Sequence, residues 1–171
     1  MLKSFLAAAT VAASLSFLSA TAQDAETEPL DARIINAVTM DDVRTIIGSY
    51  QHSVVEEMPD QNGIVVETPS GFKYLVLLKI CDEAASCQGV LIGSIHDIPA
   101  GTTWEILNDA DMQMDAFGLY IANEQLIVDR YFILSGGVRV ENFRHEIGSL
   151  MAAAPPLVRS IGQLAAAAGE G

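Results

Sequence analysis

The stretch from Phe72 to Ile98, FKYLVLLKICDEAASCQGVLIGSIHDI, decides the fold of this chain. It holds two apolar runs separated by the polar segment DEAAS, which is typical of two strands joined by a turn. In the first run, one face carries Phe72, Tyr74, Val76, Leu78 and Ile80. The other face has lysines at its ends and leucines between them. We therefore predict a central antiparallel strand that is covered on one side and partly shielded on the other.

Both cysteines of the chain, Cys81 and Cys87, lie where the first strand ends and the second begins. In an oxidising compartment, two cysteines this close in sequence usually form a disulfide. A structural zinc site needs four ligands, and the histidines of this chain are scattered without paired spacing. A thioredoxin-like redox site needs two residues between its cysteines, not five. We predict a disulfide that closes the hairpin, with a labile redox pair and a metal clip as the alternatives.

The N-terminus indicates the compartment. An apolar run from Phe5 to about Leu18 follows Lys3, and Ala-Thr-Ala at 20–22 precedes polar residues, which is the layout of a secretory signal peptide. A transmembrane anchor is the alternative, but the apolar run is shorter than the roughly 20 residues that span a bilayer. We predict a signal peptide at 1–22 and a periplasmic or secreted mature chain without stable membrane anchoring.

The chain is strongly acidic, with a formal net charge of −13. Such a surface repels phosphate backbones and anionic lipid headgroups. We therefore expect neither nucleic-acid binding nor membrane-surface binding, and nothing in the composition identifies a cofactor.

The segment between the signal peptide and the hairpin predicts one helix and two strands. Residues 23–38 begin with polar and acidic residues and a proline, and we expect a flexible leader there. Thr39 can cap a short amphipathic helix, because apolar residues recur behind it at helical spacing and acids fill the first turn. The runs HSVVEEM at 52–58 and IVVET at 64–68 are separated by turn-forming residues and predict strands.

The C-terminal half predicts two helices around another hairpin. Thr102 and Glu105 have the spacing of a capping box ahead of an apolar stripe. The run at 117–134 is typical of two apolar strands, and an amphipathic helix follows over 138–154. We expect Pro155-Pro156 to interrupt that helix before a final alanine-rich helix.

Together these elements predict a single α+β domain over residues 39–171. Their order is α-β-β-β-β-α-β-β-α, which favours an antiparallel sheet of about five to six strands with helices packed on it.

No motif in the sequence requires catalysis. There is no Gly-x-Ser-x-Gly elbow and no phosphate loop. Asp109, Asp111 and Asp115 lie close together and invite a calcium interpretation. An EF-hand loop that began at Asp109 would need Gly at position 114 and Glu at position 120, where this chain has Met and Tyr. We therefore predict a protein that is not an enzyme and has no metal site.

Asp129 and Arg130 are charged residues within an apolar strand. Because neighbouring side chains of a strand point to opposite faces, one of the two faces the core or a pocket, where it needs a partner. An exposed sheet face is the simpler alternative. Together with Trp104, Tyr120 and Tyr131, these two residues form our candidate surface for a ligand or partner.

Several of these features together resemble the YbjN family of candidate bacterial sensory transduction regulators. The resemblance is carried by GFKYLVLLKICDEAASCQGVLI at 71–92, by LNDADMQMDAFGLYIANEQLIVDRYFILSGGV at 107–138, and by the closing helix. It spans about Thr39 to Ile161. Members of the family often have an aromatic-Asn pair in the second helix, where this chain has Asp111-Met112.

The resemblance implies a fold similar to that of type III secretion chaperones, which are α+β dimers that bind proteins. It implies no cofactor and no catalytic residues. The leading hypothesis is a non-enzymatic exported binding or regulatory module that engages a protein through an exposed sheet face or edge, with a homodimer permitted by family analogy alone. The alternative is a small-ligand carrier with a pocket between sheet and helices.

Overall fold

The computed structural model describes residues 29–114 and 116–169, so the predicted signal peptide at 1–22 and the first residues of the predicted leader lie outside it. The helices in this part of the chain are α1 (Met40–Ser49), α2 (Trp104–Asp111) and α3 (Val140–Gly169). The strands are β1 (Ile34–Ile35), β2 (Ser53–Met58), β3 (Gly63–Glu67), β4 (Lys73–Cys81), β5 (Cys87–Asp97), β6 (Gly118–Ala122), β7 (Gln125–Ile133) and β8 (Val138–Arg139). Short 3-10 turns occupy Leu30–Ala32 and Pro59–Gln61.

Strands β2 to β7 form a six-stranded sheet in the order β2-β3-β4-β5-β7-β6, and every neighbouring pair is antiparallel. The two short strands β1 and β8 pair separately. With those two set aside, the chain order is α-β-β-β-β-α-β-β-α, which confirms the predicted α+β fold and the predicted size of the sheet.

The β4–β5 hairpin forms the centre of the sheet, as its sequence predicts. Cys81 lies directly opposite Cys87 in the ladder, and a disulfide joins them. The expectation that Ile80 shares the buried face of β4 is wrong. Its side chain is 60% exposed, because a backbone φ of +53° breaks the alternation of the strand just before the disulfide.

Helices α1 and α3 cover one face of the sheet, which we call the covered face. The side chains that they bury there include Val43, Ile46, Ile47, Phe143, Ile147 and Leu150. Phe143 packs edge to face on Phe132 of β7, with ring centroids 5.4 Å apart. The main core of the protein therefore lies between these helices and one side of the sheet.

Helix α1 begins where its sequence predicts. The Thr39 amide donates to Asp42 Oδ2 at 2.9 Å, and the Asp42 amide donates to Thr39 Oγ1 at 3.2 Å, which completes a capping box. The Thr39 amide and the Thr39 hydroxyl, which donates to the same carboxylate oxygen at 2.7 Å, lower the pKa of the Asp42 carboxyl.

Helix α2 begins one residue later than its sequence predicts. The N-cap is Thr103, whose Oγ1 accepts from the Ile106 amide at 3.3 Å. Thr102 instead donates its hydroxyl to the Pro99 carbonyl at 2.6 Å, so it stabilises the preceding turn and is not free to cap the helix.

Helix α3 continues through Pro155-Pro156, and the predicted interruption is wrong. Each proline removes one helical hydrogen bond. However, Ala154 before the prolines and Ile161 and Ala165 after them are all buried. The apolar stripe continues across the prolines, and its packing on the rest of the domain keeps α3 continuous where the sequence predicts two separate helices.

Residues 30–38, which the sequence assigns to the flexible leader, pack on the domain. Ile34–Ile35 pairs with Val138–Arg139, and Val38 exchanges two backbone hydrogen bonds with Cys87, at 2.9 and 2.8 Å. The side chains of Ile35 and Val38 are buried. The polar residues at the start of this segment predict flexibility, but burial of these apolar side chains stabilises its position on the domain.

Candidate functional site

The second face of the six-stranded sheet carries a broad apolar surface, which we call the open face. Its apolar side chains are Val65, Leu75, Leu77, Leu91, Ile95, Tyr120, Ile127, Tyr131 and Ile133, which the strand registers place on one side. Leu75 and Ile127 are buried by their neighbours but lie outside the main core. Tyr131 and Ile133 remain 44% and 50% exposed. Among the described residues, none of the three helices packs on this face.

Glycines keep the open face flat. A Cβ atom at Gly89 would collide with the hydroxyl of Tyr131, and a Cβ at Gly63 would collide with the Leu77 side chain. The tyrosine ring and the leucine therefore lie over the backbone of the next strand instead of standing upright, because a glycine allows this close approach. The result is an apolar surface of low relief.

Charged side chains border this apolar surface, and one acid, Asp129, lies within it between Ile127 and Tyr131 of β7. Lys73 and Lys79 lie at the two ends of β4 on the open face, and Lys73 pairs with Glu67 at 3.7 Å. Glu56, Val65, Lys73, Leu75 and Ile95 line a hollow of about 220 Å³ beside them. An apolar centre with a polar rim is the usual anatomy of a protein–protein interface.

Both edges of the sheet carry features that oppose the addition of another strand. At the first edge, the register of β2 shifts between Val54 and Glu56, and Glu57 is held by Arg44 of α1 at 2.9 Å. At the other edge, Asp111 Oδ1 accepts from the Leu119 amide of β6 at 3.0 Å. Irregular pairing, edge charges and covered amides all protect sheet edges. Each edge of the sheet is therefore partly protected against the addition of another strand.

A groove of about 500 Å³ runs between α2 and β6, and we call it the α2–β6 groove. Its lining residues are Trp104, Glu105, Leu107, Asn108, Asp111, Leu119 and Tyr120. Trp104 is 74% exposed. Tyr120 belongs to both surfaces, because it lines the groove and also lies on the open face opposite Ile127.

A second cavity of about 380 Å³ lies between α1 and α3, and we call it the α1–α3 cavity. Several of its polar groups are engaged with protein atoms. The Arg144 guanidinium stacks 4.2 Å from the Tyr50 ring centroid and pairs with Asp31 at 3.1 Å. His52 Nδ1 lies 2.9 Å from the Tyr74 hydroxyl, and burial lowers the pKa of His52. These contacts leave the cavity few polar groups for a ligand.

No protein-family model matches the chain, and no curated protein matches it in sequence. Solved structures do match. The crystal structure of YbjN from E. coli, described as a candidate transcription regulator, has a TM-score of 0.53 at 11% sequence identity, over 74% of this chain and 92% of that chain. The chain has a YbjN-like fold.

A second match is a chain of a chaperone–effector complex. A chain in the structure of the HopA1–SchA chaperone–effector complex has a TM-score of 0.50 at 13% identity, over 74% of this chain and 98% of that chain. The likeness to YbjN and to a chain of a chaperone–effector complex confirms the fold that the sequence resemblance implies. At these identities it shows the fold alone. Neither structure is described as an enzyme.

Within this YbjN-like fold, the predicted site residues divide between the two faces. Tyr120, Asp129 and Tyr131 lie together on the open face, and the Tyr120 hydroxyl donates to Asp129 Oδ2 at 3.0 Å. Trp104 lies on α2 and lines the groove with Tyr120. Arg130 lies on the covered face, apart from the other four.

Arg130 has a structural partner. Its Nη2 donates to Glu146 Oε1 of α3 at 3.3 Å, its Nε pairs with the other oxygen of the same carboxylate, and its guanidinium lies 5.6 Å from the Phe117 ring centroid. Strand alternation requires a partner for the inward residue of the Asp129–Arg130 pair, and Glu146 is that partner. The cation joins the sheet to α3.

Asp129 is the partly buried acid of the open face. Burial raises the pKa of its carboxyl, with a smaller contribution from the charge of Asp111, while the Tyr120 hydrogen bond acts in the opposite direction. Burial, the hydrogen bond to Asp129 and the charge of Asp129 raise the pKa of Tyr120 to about 12. The pair is one hydrogen bond between an acid and a phenol, with the charge of Asp111 near it.

Several open-face residues are not among the site candidates that the sequence predicts. They are Val65, Leu77, Leu91, Ile95 and Ile133. The sequence does contain a signal for these residues, because apolar residues occupy both faces of β4 and β5. The same pattern also fits a strand that is partly shielded within the protein, so it does not by itself indicate a binding surface.

In the described ranges no helix combines the length and apolar character that a membrane crossing requires. In the same ranges, no three His, Cys, Asp or Glu side chains are placed to hold a metal ion.

Proposed function

We propose that this chain is an exported, non-enzymatic protein-binding module that holds a protein partner on the open face of its sheet. The observation that carries the proposal is the contrast between this flat apolar face and the two protected edges. Six strands spaced by about 4.8 Å make a surface roughly 24 Å across. Monomeric soluble proteins rarely leave a contiguous apolar patch of several hundred Å² uncovered, and larger ones mark interaction sites.

The shape of the open face favours a protein over a small molecule. Small-molecule sites are concave and enclose most of their ligand. The hollow on the open face measures about 220 Å³, and Tyr131 and Leu77 lie flat over glycines instead of walling a pocket. A second flat surface can bury such a face more completely than a small ligand can.

The structural comparisons add support by analogy. One of the matched structures is a chaperone–effector complex, so this architecture occurs in a protein-binding assembly. Analogy of fold is a weak argument for function on its own, and the open face supplies the stronger one.

Export is the part of the proposal that the N-terminal sequence supports. Residues 1–22 have the layout of a signal peptide, and the Cys81–Cys87 disulfide suits an oxidising compartment. We expect N-terminal sequencing of the exported protein to begin at Gln23. A retained leader would place the protein at the membrane and contradict this part of the proposal.

A small-ligand carrier is the second candidate, and the α1–α3 cavity favours it. That cavity lies between two helices and holds His52 and Arg144, but the side chains of both are already bonded or stacked. A homodimer through the open face is the other way to cover the apolar surface.

The test is a crosslinked pull-down of the tagged, exported protein from living cells, read by mass spectrometry. We compare the wild type with Ile95→Asp and Ile133→Asp, which place a charge near opposite ends of the open face, and with Ser149→Asp, a control on the exposed side of α3. Thermal melts check that each variant is folded.

We expect the wild type and Ser149→Asp to recover the same protein in near-equal amount, and both open-face variants to lose at least about 90% of it. If folded open-face variants recover the partner as well as the control does, the open face is not the binding surface. Recovery of the chain alone, or of its own dimer, would favour the carrier or the homodimer.

A further inference from the structure

The α2–β6 groove continues the open face around the edge of the sheet. Tyr120 forms the junction, since it faces Ile127 on the open face and also lines the groove. A protein that covers the open face out to β6 therefore reaches the mouth of the groove. The walls of the groove determine which chemical group that protein would place there, and an inference about this group rests on the proposed function.

Trp104 gives the groove an exposed aromatic wall. It is the only tryptophan of the chain and is 74% exposed at the first residue of α2. The Thr103 N-cap fixes the start of the helix and hence the base of this side chain. Tryptophan is enriched among residues that dominate binding energy in interfaces, because it combines a large apolar area with a π-face.

Two carboxylates also line the groove. Glu105 and Asp111 line the groove together with Asn108, and none of the seven lining residues is basic. One oxygen of Asp111 accepts from the Leu119 amide, which fixes the position of that carboxylate. The groove lining thus combines an indole with two carboxylates, and this combination can recognise an organic cation through cation–π attraction and charge-assisted hydrogen bonds.

The expected strength of these contacts indicates which kind of cation the groove can bind. Trp104, Glu105 and Asp111 are exposed, so water screens each contact, and a free ammonium or guanidinium compound would bind with a dissociation constant of about 1 mM or weaker. The same contacts become effectively intramolecular when the cation belongs to a protein already held on the open face.

We propose that the α2–β6 groove receives a lysine or arginine side chain of the protein partner. The side chain lies on the Trp104 indole, and its charge lies between Glu105 and Asp111. The partner therefore presents an apolar surface to the open face and a basic residue at the β6 side of that surface.

The first experiment uses defined probes and the sole tryptophan as reporter. The fluorescence of Trp104 in the mature chain is titrated with N-acetyl-arginine amide and with N-acetyl-citrulline amide, which has nearly the same shape and no charge. We expect a saturable change with the arginine probe at about 1–10 mM and at least fivefold weaker binding of the citrulline probe.

Matched variants locate that binding. Glu105→Gln combined with Asp111→Asn should weaken the arginine probe by about threefold to tenfold. Asp109→Asn, which removes a charge from the same helix outside the groove, should leave it unchanged. An equal response to both probes, or an unchanged response in the double variant, overturns the proposal.

The second experiment separates this inference from the proposed function. The affinity of the partner recovered through the open face is measured for the wild type, the double groove variant and Asp109→Asn, and we expect about tenfold loss in the double variant alone. If the open-face variants abolish binding but the groove variant binds like the wild type, the inference fails and the proposed function stands. If the open-face variants bind normally, the proposed function fails whatever the groove does.

Discussion

The two faces of the sheet are built from the same kinds of side chain but have opposite surroundings. On the covered face, Ile92 and Val128 are fully buried under the helices. On the open face, Ile95 and Ile133 of the same two strands remain 42% and 50% exposed. Core formation accounts for apolar residues on the first face and cannot account for them on the second.

The difference separates stability from binding. A side chain on the covered face lowers the free energy of the folded state because water is already excluded from it. An exposed side chain on the open face, such as Ile95 or Ile133, gains most of that stabilisation only when something else covers it. Substitutions on the covered face should therefore destabilise the protein, and substitutions of the exposed open-face residues should leave it folded and reduce binding.

The largest expected effect comes from a matched pair of isoleucines. Ile92→Ala creates a cavity in the main core and should lower the free energy of unfolding by about 2–5 kcal/mol. Ile133→Ala, on the open face of the neighbouring strand, should lower it by less than about 1 kcal/mol. Urea denaturation of both variants measures the difference, and equal losses would remove the distinction between the faces.

The disulfide should contribute less than the core. Replacing Cys81 and Cys87 together by alanine opens a short loop, and the chain-entropy model predicts a loss of about 2 kcal/mol. Chemical denaturation measures the loss, and intact mass before and after reduction shows whether two hydrogens are gained. Two thiols that alkylate freely in the native exported protein would contradict the disulfide.

Those two predictions concern regions that the sequence describes well. The hairpin, the order of elements and the Thr39 cap follow from apolar alternation, turn residues and capping chemistry that act over a few residues. The continuity of α3 through Pro155-Pro156 could not be predicted in this way. It depends on burial of Ile161 and Ala165 against other parts of the chain, and tertiary packing overrides local preference there.

The candidate site was harder to predict for the same reason. Alternation shows that Asp129 and Arg130 point to opposite faces, but it does not show which face the helices cover. The inward position of Arg130 follows from Glu146 on α3, 16 residues away along the chain. Likewise, the proximity of Trp104 to Tyr120 depends on how α2 lies against the edge of β6, which sequence spacing does not define.

The smallest expected effect is that of Asp129→Asn, which adjusts the charge of the open face. The pKa of this carboxyl is raised in the folded protein, so its ionised form costs folding free energy at neutral pH. The variant should be slightly more stable at pH 7, by less than about 1 kcal/mol since solvent screens a half-exposed group.

This gain should disappear on acidification. The pH falls first through the raised pKa of Asp129 in the folded protein and then through its ordinary pKa of 3.8. The wild-type carboxyl is then protonated in both the folded and the unfolded state, and the free-energy cost of burying its charge disappears. Urea midpoints of the two proteins between pH 7 and pH 3 should converge. A variant that is less stable than wild type at pH 7 would show that the Tyr120–Asp129 bond outweighs the cost of burial.

The most direct test of the central claim is site-specific photocrosslinking in living cells. A photoreactive phenylalanine analogue replaces Tyr131 on the open face in one strain and Ser149 on the exposed side of α3 in another. We predict that position 131 crosslinks to a distinct protein in high yield and that position 149 does not. Equal crosslinking at the two positions, or none at position 131 in the folded exported protein, would contradict a binding role for the open face.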